Sequence, residues 1–427
     1  MTDTAPTPAD YSYPLGLFQG VGIELEYMIV DERTLDVRPV ADEVMKAIAG
    51  EYATDVEPDG DGGVIGWSNE LALHVVELKT IRPVASLEGL ADLFQSHVAR
   101  VEQVLAPMGC RLLPGATHPW MDPLAEMRLW PHEYSPVYEA FNRIFDCRGH
   151  GWANLQSTHI NLPFGSDAEF ARLHAAIRLV LPILPALAAA SPVMDAKPTA
   201  FADARLEVYR SNARAVPSVS GRVIPEPVFS RRDYEGVLLA GIYKDLEPHD
   251  PDGTLRHEWV NARGCIARFD RGAIEIRLLD IQECPASDIA VCNMVIRAVR
   301  ALAEERWAGV QELRSFGVEP LHAILQDCIK HAEHATIADA AFLRVFGIDS
   351  GSSGGVTAGE LWRRLDAELP KTPGVDPQPL QAIFTHGTLA TRLVRSLGCE
   401  PDRDALRRVY GRLADALRSG TPFVPEG

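Results

Sequence analysis

The chain has no uninterrupted run of the roughly 20 apolar residues that span a bilayer; its most apolar stretch, Ile177 to Ala190, is broken by Pro182 and Pro185. It also lacks a basic excess. Lys and Arg number 41 against 59 Asp and Glu, a formal charge of −18. That balance excludes nonspecific attraction to a nucleic-acid backbone or an anionic membrane, so an anionic ligand must meet a local basic pocket or a bridging metal. The seven cysteines, at 110, 147, 265, 284, 292, 328 and 399, form no CxxC pair. This excludes a zinc ribbon or disulfide framework and fits a reducing compartment. No GxxxxGK[ST] loop and no GxGxxG after a strand is present, which removes the P-loop and dinucleotide-binding classes. Met1 to Tyr13 carries neither a basic n-region nor an apolar h-region, so the expectation is a flexible tail over 1–13 and a cytoplasmic protein without a secretory signal.

What is there is an ordinary folded composition, 46% hydrophobic and 23% charged, unlike disordered, collagen-like or coiled-coil chains. No internal repeat or linker is visible, so one unit over 14–427 is expected, with its motifs in 18–300 and a helical portion over 301–420. Three segments alternate with period two and place acidic side chains on one face, the pattern of half-buried strands. They are Gly22 to Val30, Asn69 to Lys79 and Ala273 to Asp280. A fourth, Ser157 to Pro163, puts His159 and Asn161 on a common face. Helices are expected over Ser86 to Ala106, Ala168 to Leu187 and Ala286 to Arg306, with more between Val310 and Ala416. Glu57 to Gly63, Val216 to Pro227 and Glu247 to Gly253 read as turns and loops.

The chemistry lies on the acidic faces. Glu24 and Glu26 stand about 7 Å apart along one strand, and Glu77 and Glu275 are likewise on strands whose other face is aliphatic. Four carboxylates converging on one side of a sheet repel unless cations intervene, and oxygen donors at that density suit Mg²⁺ or Mn²⁺ better than zinc. A single strand Glu is ordinarily just solvated; the joint occurrence on three strands favours metal. Arg277 could grip a phosphate oxygen beside such a cluster or simply pair with Glu275. His159 is either a satisfied polar residue or a metal contact.

Two motifs are set aside. Asp59 to Gly63 with Glu70 in twelfth place imitates a calcium loop, but Val64 replaces the required glycine. Cys328, His331 and His334 have ligand-like spacing on a helix and no fourth member.

Gly22-Ile-Glu-Leu-Glu26, Glu77-Leu-Lys-Thr80, Ser157-Thr-His-Ile-Asn161, Tyr209-Arg-Ser211 and Ile274-Glu-Ile-Arg-Leu-Leu-Asp280, in this order over roughly residues 18–300, resemble the motifs of glutamate-cysteine ligase type 2 carboxylate-amine ligases. The resemblance implies an α+β, glutamine-synthetase-like catalytic fold: a curved, mainly antiparallel sheet forming a funnel, covered by helices. It implies ATP and two or three Mg²⁺ ions (or Mn²⁺) as cofactors, held by Glu24, Glu26, Glu70, Glu77, His159 and Glu275. Asn161, Arg210 and Arg277 would face the nucleotide or phosphoryl group, with Arg277 and Glu275 catalytic. A homodimer and small amino-acid substrates, a glutamate-type acid and an amine such as cysteine, complete what it implies. Relatives often carry Trp shortly after Tyr-Arg-Ser, where this chain reads Asn212-Ala-Arg-Ala. A guanidino or amine phosphotransferase of similar architecture, and a noncatalytic nucleotide-binding partner, are the competing readings.

Overall fold

The alternating segments become strands of one sheet. A computed structural model describes residues 13–58, 60–349 and 354–425; of the expected tail, residues 1–12 lie outside the described part. Twelve strands are present among the described residues: β1 (Gly22–Asp31), β2 (Asp55–Val56), β3 (Ile65–Asn69), β4 (Val75–Thr80), β5 (Cys110–Leu113), β6 (Ser157–Pro163), β7 (Val193–Met194), β8 (Lys197–Pro198), β9 (Cys265–Arg268), β10 (Ala273–Asp280), β11 (Thr336–Ile337) and β12 (Val356–Thr357). Eight of them form an open sheet in the order β2-β3-β4-β1-β6-β10-β9, with β5 also paired to β1. β7 with β8 and β11 with β12 make separate two-stranded pairs. All strand pairings are antiparallel, as the expected fold class requires.

Side-chain alternation fixes the register. Ile23, Leu25, Tyr27 and Ile29 of β1 are wholly buried, each worth about 1.5–3 kcal/mol of burial. A one-residue slip would drive Glu24 and Glu26 into that core and expose the aliphatic set. The helix Pro285–Ala303 covers this apolar face: Asp288 in its first turn accepts from Thr158 Oγ1 of β6 at 2.7 Å. It packs against the helices Leu90–Leu105 and Asp167–Val180. Leu361, Leu393 and Leu413, from the helices after Ala303, belong to the same hydrophobic cluster.

Several boundaries differ from the sequence reading. The expected strand Asn69 to Lys79 is interrupted: Asn69 ends β3, Glu70 to His74 form a connection, and β4 begins at Val75. The helix expected from Ser86 starts at Leu90, after Gly89 with φ +72°. The one expected over Ala168 to Leu187 ends at Val180 and continues as short turns through the two prolines, because proline removes an amide donor and clashes with the preceding turn.

Candidate active site

Residues directly opposite in an antiparallel ladder project to the same face, and the register assembles one polar surface across four strands. Glu26 of β1 faces Glu77 of β4, and Glu24 lies between Lys79 of β4 and His159 of β6. Asn161 of β6 faces Glu275 of β10. Farther along β10 the ladder carries a bulge: Ile276 opposes Ile160 but Leu279 opposes Thr158, three residues against two. Asp280 therefore opposes Ser157 and returns to the polar face despite lying an odd five residues from Glu275. On its other edge β10 keeps the β9 register one pair further, the Arg277 amide donating to the Gly264 carbonyl at 3.0 Å. Gly264 is required there, because a Cβ would sit 2.6 Å from Leu278 Cδ1.

This face borders a cavity of about 1290 Å³. Glu24 Oε2 lies 2.9 Å from His159 Nδ1, and Glu24 Oε1 accepts from Asn161 Nδ2 at 2.9 Å. Glu26 Oε2 accepts from the Ser157 amide at 2.7 Å and its hydroxyl at 3.0 Å. Ser68 Oγ donates to Glu77, and Lys79 Nζ stands 3.3 Å from Glu77 and 2.9 Å from Asp55. Arg277 donates from Nε and Nη2 to Glu275 Oε1, at 3.0 and 2.6 Å, and Arg268 stands 3.5 Å from Glu275 Oε2.

The electrostatics follow from burial and crowding. Burial alone would raise Glu24, but the hydrogen bond and charge of His159 prevail and lower it to about 2. Burial favours neutral His159, yet Glu24, Glu26 and Glu275 outweigh it and raise the imidazole to about 9. Glu77, buried and repelled by Glu24, is pushed up to about 7. Burial, then Glu26 and Glu77, hold Glu70 well above the ordinary carboxylate range. Burial also opposes ionised Glu275, but Arg277 overcomes it and lowers its pKa.

The structure thus brings Glu24, Glu26, Glu70, Glu77, His159, Asn161, Glu275 and Arg277 into one cavity wall. Arg210 is a correction: it is exposed, its guanidinium bound to Glu207 at 2.6 and 2.7 Å, outside the cavity lining. The helix Ala204–Tyr209 presents Arg205 and Tyr209, one turn apart, to the cavity; the next position is rotated by about 100° toward solvent. Of the calcium-loop imitation, Glu70 reaches the cavity while Asp59 lies outside the described residues, and Cys328, His331 and His334 are not among the lining residues. Asp61 accepts from the Gly63 and Ile65 amides, a local turn, and Cys328 is buried while His331 and His334 are exposed. Sequence reasoning missed Arg205, Arg268 and an aromatic wall of Tyr138, Phe141, Trp152 and Trp259. Phe141 lies 5.3 Å from Trp152 and 5.9 Å from Trp259, centroid to centroid. The spacing Tyr134, Val137, Tyr138, Phe141 was the available signal for that wall, one stripe of a helix.

The donors fit hard divalent cations. One ligand atom each from Glu24, His159 and Glu275, and likewise from Glu26, Glu77 and His159, lie within 4.8 Å of one another. Two sets of carboxylate oxygens sharing an imidazole, crowded enough to raise Glu77 and Glu70, suit Mg²⁺ or Mn²⁺.

Comparison with known proteins agrees with this geometry. The model of glutamate-cysteine ligase family 2 matches residues 20–327. An uncharacterised protein of Archaeoglobus fulgidus is 36% identical over 343 residues, covering 78% of this chain and 91% of that one. A putative glutamate–cysteine ligase 2-3 of Rubrobacter xylanophilus is 29% identical over 55% of this chain, and the match spans 61% of that relative. The crystal structure of glutamate–cysteine ligase from Francisella tularensis in complex with AMP superposes with a TM-score of 0.56 at 12% identity, over 96% of this chain and 90% of that one. This supports the glutamine-synthetase-like fold. With every wall of the carboxylate cavity inside the matched stretch, the chain belongs to glutamate-cysteine ligase family 2 and is a ligase that forms carbon–nitrogen bonds.

Proposed function

We propose that the protein is an ATP- and Mg²⁺-dependent carboxylate-amine ligase that activates a glutamate-type γ-carboxylate and joins it to an amine such as that of cysteine. The observation that carries this reading is the register-fixed face of Glu24, Glu26, Glu77, His159 and Glu275, with Arg277 beside it, in a cavity of about 1290 Å³. A carboxylate is a poor acyl donor. One of its oxygens attacks the γ-phosphorus of ATP, the bond to the ADP oxygen breaks, and an acyl phosphate forms. The amine nitrogen then attacks the acyl carbon, phosphate departs with the C–O electron pair, and the amine gives up a proton.

Such chemistry needs positioning and charge neutralisation rather than a protein nucleophile. Glu24, Glu26, Glu70, Glu77, His159 and Glu275 would hold the divalent ions, which supply Lewis-acid neutralisation of the phosphate oxygens when bound. Arg277, steadied by Glu275 and by its interaction with Tyr209, offers a guanidinium to the transferring phosphoryl oxygens. Asn161 fixes Glu24. Ser157 fixes Glu26, and Ser68 fixes Glu77.

Purified protein incubated with ATP, Mg²⁺ and glutamate, with cysteine and a panel of amino acids and amines, gives a glutamyl amide mass with matched ADP. A phosphorylated amine would point instead to a phosphotransferase, and ATP binding without turnover to a noncatalytic partner. Glu275→Gln is expected to abolish Mg²⁺-dependent ADP formation with an unchanged circular dichroism spectrum; normal turnover would overturn the site assignment.

A further inference from the structure

The mechanism above leaves the aromatic side of the cavity unused. Tyr138, Trp152 and Trp259 line it and are only half-buried, so part of each ring faces open space. Their polar tips are largely satisfied by the protein. Tyr138 Oη accepts from Asn69 Nδ2 at 3.0 Å, and Trp152 Nε1 donates to the Asn212 carbonyl at 3.1 Å. Trp152 is also backed: Phe145 stacks on it at 5.4 Å, and Phe141 lies 5.3 Å away and joins it to Trp259. The turn that carries it is fixed, since a Cβ at Gly151 would come 2.8 Å from Asn212 Cβ. What these residues present to the cavity is therefore rigid ring surface. Aromatic area left partly wet in a ligand-sized space is the surface on which an apolar group gains most by binding.

The strand register says which reactant can reach it. At one end of the polar face, where β1 and β10 begin and β4 ends, the cavity is lined by Arg82, Arg268 and Arg271. Arg268 opposes Ala273, two residues before Glu275. That basic end suits the phosphates of a nucleotide. At the opposite end β3 finishes at Asn69 and β6 starts at Ser157, and there Tyr138 bonds to Asn69 while Trp152 stands five residues before Ser157. The charged lining at this end is Glu26, Glu70 and Glu77, with Arg205, which is 2% exposed and held by Asp280. An acidic end walled by rings matches a ligand that carries an ammonium on an apolar body.

We infer that the wall of Tyr138, Phe141 and Trp152 is the acceptor subsite and that the amine it takes is an arylalkylamine, a primary amine on a flat, apolar body. The inference rests on the ligase reading and narrows its acceptor. Of the three reactants, the nucleotide is drawn by its phosphates to the basic end. The acid must lay its reacting carboxylate over the metal-holding face, and a body charged at both ends gains nothing from ring surface. The amine alone has a body that the chemistry leaves unconstrained, and with its ring on the wall its nitrogen points toward the face where the acyl phosphate forms.

The test uses the full chain with ATP, Mg²⁺ and glutamate, and compares 2-phenylethylamine with ethylamine, which lacks the ring, and with cysteine. In the wild type 2-phenylethylamine is expected to exceed both by about tenfold or more in kcat/KM, the effect of burying one ring. Trp152→Leu should bring 2-phenylethylamine to within about threefold of ethylamine, mainly through KM for the ring-bearing amine. A merely structural role would depress both amines alike and leave their ratio unchanged. Should Trp152→Leu fail to fold, Tyr138→Leu and the wild-type amine series carry the test, with the same narrowing expected. Ethylamine or cysteine matching 2-phenylethylamine in the wild type would overturn the inference and leave the ligase reading intact. So would a variant that keeps its preference among amines while its KM for ATP rises, which would give the wall to the nucleobase. No glutamyl amide with any of the three amines would overturn both.

Discussion

Replacing His174 tests the buried electrostatics with a magnitude set by the structure. Its ring is fully buried, stacked on Phe170 at 5.4 Å, with Nδ1 2.8 Å from the Val228 carbonyl and Nε2 unpartnered among the described residues. Burial first, then the neighbouring Arg178 charge, lower its pKa to about 3 from the ordinary 6.5. Between those values the unfolded chain binds a proton that the folded one refuses. The histidine's contribution is thus full above pH 6.5 and is lost as acid is added. Linkage over the two units from pH 7 to pH 5 gives a loss of about 2 kcal/mol from this residue. His174→Gln keeps an N–H donor for Val228 and removes the titration. Urea unfolding of both proteins at pH 7, 6 and 5 should show the wild type losing about 2 kcal/mol relative to the variant. Parallel pH dependences would refute the reasoning.

Other tests address the site and its supports. Mg²⁺ or Mn²⁺ at a hundred times its dissociation constant should stabilise the protein by about 2.7 kcal/mol in thermal unfolding, reversed by chelator. Glu77→Gln should leave the metal-free protein at least as stable, by removing one of the crowded charges, yet weaken that response. Arg392, wholly buried and bonded to Glu283 at 2.6 and 3.2 Å, should cost about 3–5 kcal/mol in denaturant unfolding when changed to Met, because the carboxylate is left unpaired. Gly264→Ala forces a methyl group against Leu278. It should cost about 1–3 kcal/mol and lower ligase turnover more than Leu278→Ala does, because the backbone that receives the Arg277 amide must move.

The strands that were legible in the sequence are those with one aliphatic and one acidic face. In β1, β6 and β10 the alternation states both the element and the side of the sheet on which Glu24, His159 and Glu275 emerge. β3 is buried at all five positions, and β5 and β9 at all four. Their short runs carry no period to distinguish strand from buried helix. Regular alternation likewise concealed the break at Glu70 to His74, where the chain turns without changing its hydrophobic rhythm. Arg210 was misplaced because a motif read as a string does not say which side chain of a helical turn faces inward. Arg205 was invisible for a related reason: its partner, Asp280, is 75 residues away, and only the fold brings them together.

The bulge in β10 makes length a functional property of that strand. Seen from the cavity, the chain counts two residues from Glu275 to Arg277 and three more to Asp280, and the uneven count is what returns Asp280 to the side where Arg205 waits for it. Exchanging Leu278 for another apolar residue leaves the count untouched. Removing it would straighten the ladder, turn Asp280 toward the helices behind the sheet and strip Arg205 of its anchor, without altering any residue that touches a ligand. The apolar positions of this strand can therefore be exchanged but not removed, and an engineer reshaping the pocket has substitutions to work with at those positions of β10 and no deletions.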